Sequence, residues 1–193
     1  MLGLKLATDP RWVNIAEKTI EDILTDHAFC EQKAASSGIS LIVNYSDKED
    51  IVQAVTPLVA EEWGHFRKVV KELNKRGLKL GKQRRDEYVL KIKGLRQDGG
   101  TRDQQLVEHL LIFALIEARS CERFRLLSLH ISDPALKEFY HEFMVSEAGH
   151  YRLFIDLAKK YMPEEHVKER WNAILEGEAE ILASLELRGD RVH

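Results

Sequence analysis

Apolar residues recur every three or four positions through most of the chain, which is the spacing of amphipathic α-helices. The pattern predicts five helices over residues 10–36, 47–76, 101–129, 133–161 and 163–187, with glycine or proline near most of their ends. Each of the first four would be about 40 Å long at 1.5 Å per residue. Residues 40–43 could also form a strand, but a single strand would have no partner. The chain is therefore predicted to be all-α.

The lengths of the connections predict how these helices are ordered. The first and second helices are joined by a short link, as are the third and fourth, so each pair should be antiparallel. Residues 77–100 form a connection long enough to return along a bundle. This order is typical of a ferritin-like four-helix bundle with one long crossover, here with an additional C-terminal helix. A length of 193 residues fits one such domain over residues 1–193.

Composition excludes several classes of protein. The two cysteines, Cys30 and Cys121, cannot make a disulfide scaffold, a zinc ribbon or a rubredoxin-type iron centre. The N-terminus lacks the basic and apolar regions of a secretion signal, and the longest uncharged stretch, residues 34–46, contains Ser, Gly and Asn. We therefore expect a cytoplasmic protein with no membrane span. A net charge of −3 argues against a uniformly basic nucleic-acid binder.

Polar residues interrupt the apolar stripes at the middle of each long helix. The second and fourth helices each place a Glu-x-x-His motif on the stripe, and the first and third each place one glutamate there. These six candidate metal ligands are Glu31, Glu62, His65, Glu117, Glu147 and His150.

Four buried carboxylates need a compensating positive charge, since each uncompensated charge would cost several kcal/mol. The stripes supply no Lys or Arg at this level, and two histidines could not neutralise four carboxylates. Two divalent metal ions could. Oxygen ligands with one imidazole for each metal favour iron or manganese, and the ligand pattern is that of dimetal-carboxylate bundles. Purely structural buried carboxylates are the alternative.

Spacing supports the metal interpretation more strongly than the motif alone. Glu31 precedes Glu62 by 31 positions and Glu117 precedes Glu147 by 30. The same pattern, a glutamate followed by a Glu-x-x-His motif, therefore occurs twice. A third Glu-x-x-His, at Glu138 and His141, falls on the opposite face of its helix and should lie on the surface. Glu122 competes with Glu117, but neighbouring Arg119 and Arg125 favour a charged flank for it.

Three segments resemble one known family. They are Ile-Glu-Ala-Arg-Ser-Cys-Glu-Arg-Phe at 116–124, Ser-Glu-Ala-Gly-His-Tyr at 146–151 and Glu-Glu-Trp-Gly-His-Phe at 61–66. The chain resembles the bacterial tRNA 2-methylthio-N6-isopentenyladenosine hydroxylase family (MiaE) over essentially its whole length. The resemblance implies a non-haem di-iron monooxygenase that hydroxylates the isopentenyl group of a modified adenosine next to the anticodon. It also implies terminal ligands at Glu31 and Glu117, bridging ligands at Glu62 and Glu147, and imidazole ligands at His65 and His150.

The same resemblance implies the co-reactants and partners. Two iron ions would use O2 as co-substrate, and the electrons must come from an external reductant. The sequence has no rubredoxin-like cysteine cluster, haem motif or Gly-x-Gly-x-x-Gly fingerprint, so we expect an electron-donor reductase or a ferredoxin as a partner. The tRNA is the expected substrate, and the chain is expected to be a monomer or homodimer with no membrane partner.

A basic segment gives weaker, independent support for tRNA binding. Residues 67–96 carry twelve basic residues against three acidic ones, a local balance of +9. Tyr88 could stack on a base there, and the segment could hold phosphates. A solvated charged face is the alternative. The candidate tRNA contacts are Lys79, Lys82, Arg84, Arg85, Lys91 and Lys93.

Other polar and aromatic residues have two interpretations. His27, one turn before Glu31, could support a ligand or be an ordinary helix residue. The two cysteines and the three tryptophans, Trp12, Trp63 and Trp171, are expected to be packing residues. The rival functions are a rubrerythrin-like di-iron peroxidase, another ferritin-like oxidoreductase or iron store, and a metal-free helical binding protein.

Overall fold

The computed structural model describes residues 2–192, and these contain seven α-helices and no β-strand. The all-α prediction is therefore confirmed. No helix within this range is both long enough and apolar enough to cross a membrane. The helices are α1 (Arg11–Glu17), α2 (Ile20–Asn44), α3 (Glu49–Lys75), α4 (Glu87–Lys93), α5 (Arg102–His130), α6 (Pro134–Tyr161) and α7 (Glu164–Ser184).

The described chain divides into two compact units. The α5–α6 unit comprises residues 2–13 and 86–187, and the α2–α3 unit comprises residues 14–85 and 188–192. Each predicted antiparallel pair of long helices lies within one unit. The chain passes from one unit to the other between Arg85 and Asp86, inside the predicted crossover. The organisation of residues 1–193 as a single domain stays a prediction.

The predicted first helix begins where expected, but it is interrupted at residues 18–19 and ends later than predicted. At residues 18–19 the backbone amides bond to carbonyls three residues back, a tight turn that separates α1 from α2. At the other end, α2 continues through Gly38 to Asn44 and includes the strand-like residues 40–43. A Cβ atom at Gly38 would lie only 2.6 Å from Val59 Cγ2 of α3. Glycine at this position allows close approach of two helices and does not end one.

Within the α2–α3 unit, the two long helices run antiparallel, as predicted. Residues 45–48 form their short connection. Gly38, near the end of α2, faces Val59 in the first half of α3. Further from the connection, Glu31 of α2 lies beside His65 of α3. Contacts that move apart along both helices from a shared turn define an antiparallel pair.

The α5–α6 unit begins its two long helices with well-formed caps. Thr101 and Gln104 form a capping box at α5, and Asp133 accepts hydrogen bonds from two backbone amides at the start of α6, ahead of Pro134. Aromatic pairs then join the helices in antiparallel order. The Phe124 and Tyr140 rings lie 5.5 Å apart near the connection, and the Phe113 and Phe154 rings lie 5.4 Å apart further from it.

The crossover is partly helical. Asp86 Oδ1 accepts a hydrogen bond from the Val89 amide at 3.0 Å, and this cap starts α4. Tyr88 and Ile92 on α4 are buried. Further along, a Cβ at Gly177 of α7 would lie 2.6 Å from Leu95 Cδ2, so α7 packs closely on the end of the crossover. The second half of the crossover is therefore an integral part of the α5–α6 unit.

Candidate metal centre

The α2–α3 unit brings three of the predicted ligands together. Potential ligand atoms of Glu31, Glu62 and His65 all lie within 4.8 Å of one another. His65 Nδ1 is 3.5 Å from Glu31 Oε2 and 3.4 Å from Glu62 Oε2. Both carboxylates are buried, and the histidine side chain is 14% exposed. Two carboxylates and one imidazole in this arrangement can bind a divalent metal ion.

The helical spacing of α3 explains why two of these side chains meet. Glu62 and His65 are three positions apart, so they lie on one face of the helix. The same face carries the buried residues Val55, Leu58 and Val69. The apolar stripe therefore buries Glu62 and most of the His65 side chain, as their helical phase predicts.

His27 supports this half of the site. Its Nε2 atom lies 2.6 Å from Glu31 Oε1, and its side chain is fully buried. Because an ionised carboxylate only accepts hydrogen bonds, the imidazole donates here and fixes the rotamer of Glu31. The supporting role considered for His27 is thus the one that the structure favours. Glu61, half exposed, approaches His65 Nε2 to 3.7 Å from the outside.

The α5–α6 unit contains a second group with the same ligand types. Potential ligand atoms of Glu117, Glu147 and His150 lie within 4.8 Å of one another, and all three residues are buried. His150 Nδ1 is 3.8 Å from Glu147 Oε2. Phe143 and Phe154 are buried on the same helix. This group is therefore the α5–α6 counterpart of the group in the α2–α3 unit.

Cys121 lies one turn after Glu117 and is not free to act as a thiolate ligand. Its Sγ atom donates to the Met144 carbonyl at 3.3 Å. Burial raises the pKa of the thiol to about 12, and the nearby Glu147 carboxylate acts in the same direction. The thiol therefore stays protonated near neutral pH, in agreement with the predicted packing role.

The chemistry of the α5–α6 group fits a metal ion. Glu147 Oε1 is buried and, within residues 2–192, has no hydrogen-bond partner. A buried carboxylate oxygen left in this way is costly unless a cation binds it. Carboxylate oxygens with one imidazole are the donor set that iron and manganese accept. The residues present thus fit a pair of such ions, one to each group.

The two competing glutamates lie elsewhere. Glu138 and His141 are exposed on α6, which confirms that the third Glu-x-x-His motif lies on the surface. Contrary to our expectation, Glu122 does not lie on a charged flank, because its side chain is buried. Its carboxylate accepts hydrogen bonds from the Thr8 amide at 2.9 Å and the Thr8 hydroxyl at 2.7 Å, and it pairs with Arg119. These partners explain its burial without a metal.

Comparison with known proteins identifies the family. The family model described as tRNA-(MS2IO6A)-hydroxylase (MiaE) matches residues 2–193. The chain belongs to the MiaE family. The tRNA 2-(methylsulfanyl)-N(6)-isopentenyladenosine(37) hydroxylase of Pseudomonas putida is 35% identical over 178 residues, which cover 92% of this chain and 85% of that protein. The protein with the same description from Salmonella typhimurium is 27% identical over 84% of this chain and 76% of its own length.

A solved structure shares the fold of this MiaE-family chain. It is described as "Protein 43 with aldehyde deformylating oxygenase activity" from Synechococcus, and it superposes with a TM-score of 0.92 at 32% sequence identity. The match covers 98% of this chain and 94% of that one. The predicted ferritin-like fold class is confirmed.

Sequence reasoning missed a buried ionic network centred on Arg119 of α5, whose side chain is fully buried. Its Nη2 atom donates to Glu178 Oε1 at 2.7 Å and to the Leu6 carbonyl at 2.9 Å, and its Nη1 donates to Glu122. Arg123, also buried, lies over the Trp12 ring at 4.9 Å. The available signal was a run of alternating charges, at positions 119, 122 and 123, inside an otherwise apolar helix.

The predicted stacking role of Tyr88 is wrong. The ring is buried, and its hydroxyl donates to Glu178 Oε1 at 3.0 Å. Burial and the neighbouring Glu178 carboxylate hold the pKa of this hydroxyl well above its usual value. Tyr88 therefore belongs to the Arg119 network and cannot receive a base.

The candidate tRNA contacts differ in their surroundings. Arg84 is half-buried and pairs with Asp22 and, at 2.9 Å, with Asp190, so its charge is already used within the α2–α3 unit. Lys91 Nζ lies 3.2 Å from the Ser184 hydroxyl. All candidates other than Arg84 are exposed: Lys79, Lys82, Arg85, Lys91 and Lys93.

Proposed function

We propose that this chain is an O2-dependent di-iron hydroxylase of the isopentenyl side chain of 2-methylthio-N6-isopentenyladenosine next to the tRNA anticodon. The observation that carries the proposal is the repeated buried group of one glutamate and one Glu-x-x-His motif. It occurs in a chain that belongs to a family described as tRNA hydroxylases. Relatives at 35% and 27% identity carry the same description.

The charge of the two groups supports two iron ions as the resident metals. Each group contributes two carboxylates, and two divalent cations balance the four negative charges. By the family resemblance, Glu31 and Glu117 would be terminal ligands and Glu62 and Glu147 would be shared between the metals. His65 and His150 would each bind one metal. We also propose that the 193 residues act as a single ferritin-like domain.

The reaction sets the demand for electrons. Converting a C–H bond to C–OH with O2 consumes two electrons and two protons, and it releases one water molecule. Iron held by these ligands would supply the O2 activation that no side chain can supply. The electrons come from an external donor, a reductase or a ferredoxin, because the chain has no sequence motif for a second redox cofactor.

The chain's own residues would orient the ligands and exclude water. His27 donates to Glu31 and keeps this carboxylate in one rotamer. Phe143 and Phe154 surround the Glu147 and His150 motif with apolar surface. A dry, apolar setting protects a reactive oxidant from side reactions and suits an isopentenyl group.

The exposed cations of the crossover would bind the tRNA backbone in the cytoplasm, where tRNA is modified. Lys79, Lys82, Arg85, Lys91 and Lys93 are exposed and can neutralise phosphates. We leave Arg84 out of this set because Asp22 and Asp190 already pair with it. Assembly as a monomer or homodimer stays a prediction.

A reconstitution experiment tests the proposal. The protein is loaded anaerobically with ferrous iron, then given a chemical reductant, O2 and isopentenylated tRNA, and the digested nucleosides are analysed by mass spectrometry. A gain of one oxygen on the modified adenosine is the expected result. Loss of that gain in a Glu117→Ala variant would tie the reaction to the metal site. Bound iron with no oxygen gain would refute the substrate, and no bound iron would refute the metal centre.

Aldehyde deformylation is a second candidate, favoured by the description of the Synechococcus structure at 32% identity. It predicts that the same reconstituted protein, with O2 and four electrons from the reductant, cleaves the formyl carbon from an aldehyde and releases formate, water and a hydrocarbon one carbon shorter. Running both substrates on one preparation separates the candidates. Hydrocarbon without tRNA oxidation would favour the aldehyde activity.

A further inference from the structure

Trp63 contradicts the expectation that the tryptophans are packing residues. Its side chain is 49% exposed, whereas Trp12 is fully buried. The Trp63 ring stacks on Phe66, with centroids 4.8 Å apart and an angle of 21° between the planes. A ring stacked on one side and half exposed presents its other face to solvent. The exposed face therefore offers a flat apolar surface on which another ring can stack.

Cations accompany this ring along α3. Arg67 and Lys71 follow Trp63 by one and two helical turns, and both are exposed. At about 100° per residue they are displaced from it by only about 40° and 80° around the helix, so the three lie on one side. Residues 63–71 carry three basic residues and no acidic one, in a chain whose net charge is −3. This face of α3 is therefore positively charged and complements an anion.

We propose that Trp63 is a stacking platform for a nucleotide of single-stranded RNA adjacent to the target adenosine, with Arg67 and Lys71 holding its phosphates. Aromatic rings flanked by cations bind unpaired nucleotides in this way, and a base of any identity can stack. The inference rests on the proposed tRNA substrate and adds the residue that positions it.

The geometry favours a neighbouring nucleotide over the target itself. Trp63 directly follows the candidate ligand Glu62, about 100° further around the helix. Glu62 is 2% exposed, whereas the Trp63 ring faces solvent. A base stacked on the exposed ring stays outside, while the modified base must reach the buried ligands. Holding the neighbour outside would help to splay the target out of the loop.

Binding to an anticodon stem-loop RNA that carries isopentenyladenosine tests this role, by fluorescence anisotropy at fixed salt. We expect Trp63→Ala to weaken binding about tenfold or more, since stacking on an aromatic ring contributes on that order. Trp63→Phe should restore most of the affinity. Leu129→Ala is the matched control, because Leu129 is an apolar residue with the same 49% exposure on α5, and it should bind as the wild type does. Iron content should be equal in all four proteins.

RNA that lacks a single base provides the decisive test of stacking on Trp63. The base on either side of the target is removed in turn, and one of these substitutions should weaken wild-type binding while leaving Trp63→Ala binding unchanged. Equal sensitivity of both proteins to both abasic RNAs would overturn the stacking role. So would unchanged affinity of Trp63→Ala for intact RNA when the wild type hydroxylates it. Wild-type protein that neither binds nor hydroxylates the RNA would instead refute the proposed function.

Discussion

The two ligand groups have the same residue types but different surroundings. In the α2–α3 unit, Glu31 accepts a hydrogen bond from buried His27, and His65 is partly exposed beside Glu61. In the α5–α6 unit, the position four residues before Glu117 is Phe113, which packs on Phe154. The glutamate of one group thus has a polar neighbour one turn before it, and the glutamate of the other has an aromatic one. A repeated ligand pattern therefore does not make two equivalent metal sites, because neighbouring side chains set ligand order and water access.

The difference extends to the scaffold of each unit. The α5–α6 unit has a buried ionic network around Arg119. The α2–α3 unit instead uses ion pairs nearer the surface, between Arg84 and Asp190 and within the segment of residues 188–192. The C-terminal segment is fixed there by the Val192 amide, which donates to Asp26 Oδ2 at 2.8 Å. We therefore expect perturbations of the α5–α6 unit to have the larger effects.

The largest effect should follow removal of ligands from one group. Glu147→Ala with His150→Ala should eliminate at least half of the bound iron and all measurable hydroxylation, because both are needed to bind a metal in the α5–α6 unit. The matched control is Glu138→Ala with His141→Ala, the same pair at the same spacing on an exposed face of α6. Iron analysis and turnover on tRNA measure both. Iron loss in the control would show that the wrong face was assigned.

The next largest effect should follow removal of the buried arginine Arg119, compared with removal of the partly exposed arginine Arg84. Arg119→Met should lower the free energy of unfolding by about 3–5 kcal/mol, because it leaves Glu178 and Glu122 buried without their cation. Arg84→Met removes a partly exposed pair and should cost about 1 kcal/mol or less. Denaturant unfolding of both variants gives the comparison. Equal losses would contradict the distinction between a buried anchor and a surface one.

A smaller effect should follow conversion of one ligand group toward the other. His27→Phe gives Glu31 the neighbour that Glu117 has, and it removes the hydrogen bond that fixes the Glu31 rotamer. We expect weaker binding of the metal in the α2–α3 unit, by about 10- to 100-fold. Anaerobic titration with ferrous iron should then resolve one unchanged and one weakened site. Two unchanged sites would show that His27 is only a packing residue.

The smallest effect is a pH dependence in the C-terminal segment. A hydrogen bond from Arg188 holds the pKa of Asp190 near 2, below its usual 3.8, and Arg191 and Arg84 act in the same direction. Because the folded-state pKa is depressed, this stabilisation is complete above pH ~4 and is lost as the pH falls towards 2. We expect no more than about 1 kcal/mol, since the pairs are partly exposed. Asp190→Asn should abolish that part of the acid sensitivity, and an unchanged melting profile between pH 4 and 2 would contradict it.

Helical phase explains what could be predicted from the sequence. Glu62 with His65 and Glu147 with His150 lie on apolar stripes, so counting residues was enough to predict that they face inward, as do Glu31 and Glu117. Of the six, only His65 is partly exposed. The same count placed the third Glu-x-x-His motif, Glu138 and His141, on the opposite face of α6 and so excluded it from the metal site. These predictions depend on one helix at a time, which is why they survive.

Several predictions about how individual residues pack failed. Tyr88 was expected to be available for stacking and Trp63 to be packed, but the structure has the reverse. Tyr88 is covered because Glu178 of α7 reaches its hydroxyl, and nothing local indicates that approach. Gly38 would end an isolated helix, but here it permits contact with Val59. For Tyr88 and Gly38 the deciding partner is distant in sequence.

The buried thiol of Cys121 offers a way to watch the α5–α6 unit open. With its pKa raised to about 12 and its Sγ atom donating to the Met144 carbonyl, we expect it to react slowly with an alkylating reagent while the protein is folded. Cys30 is partly exposed, so we expect it to react first. The alkylation rate of Cys121 therefore measures how often α5 and α6 separate locally. The measurement needs no added probe.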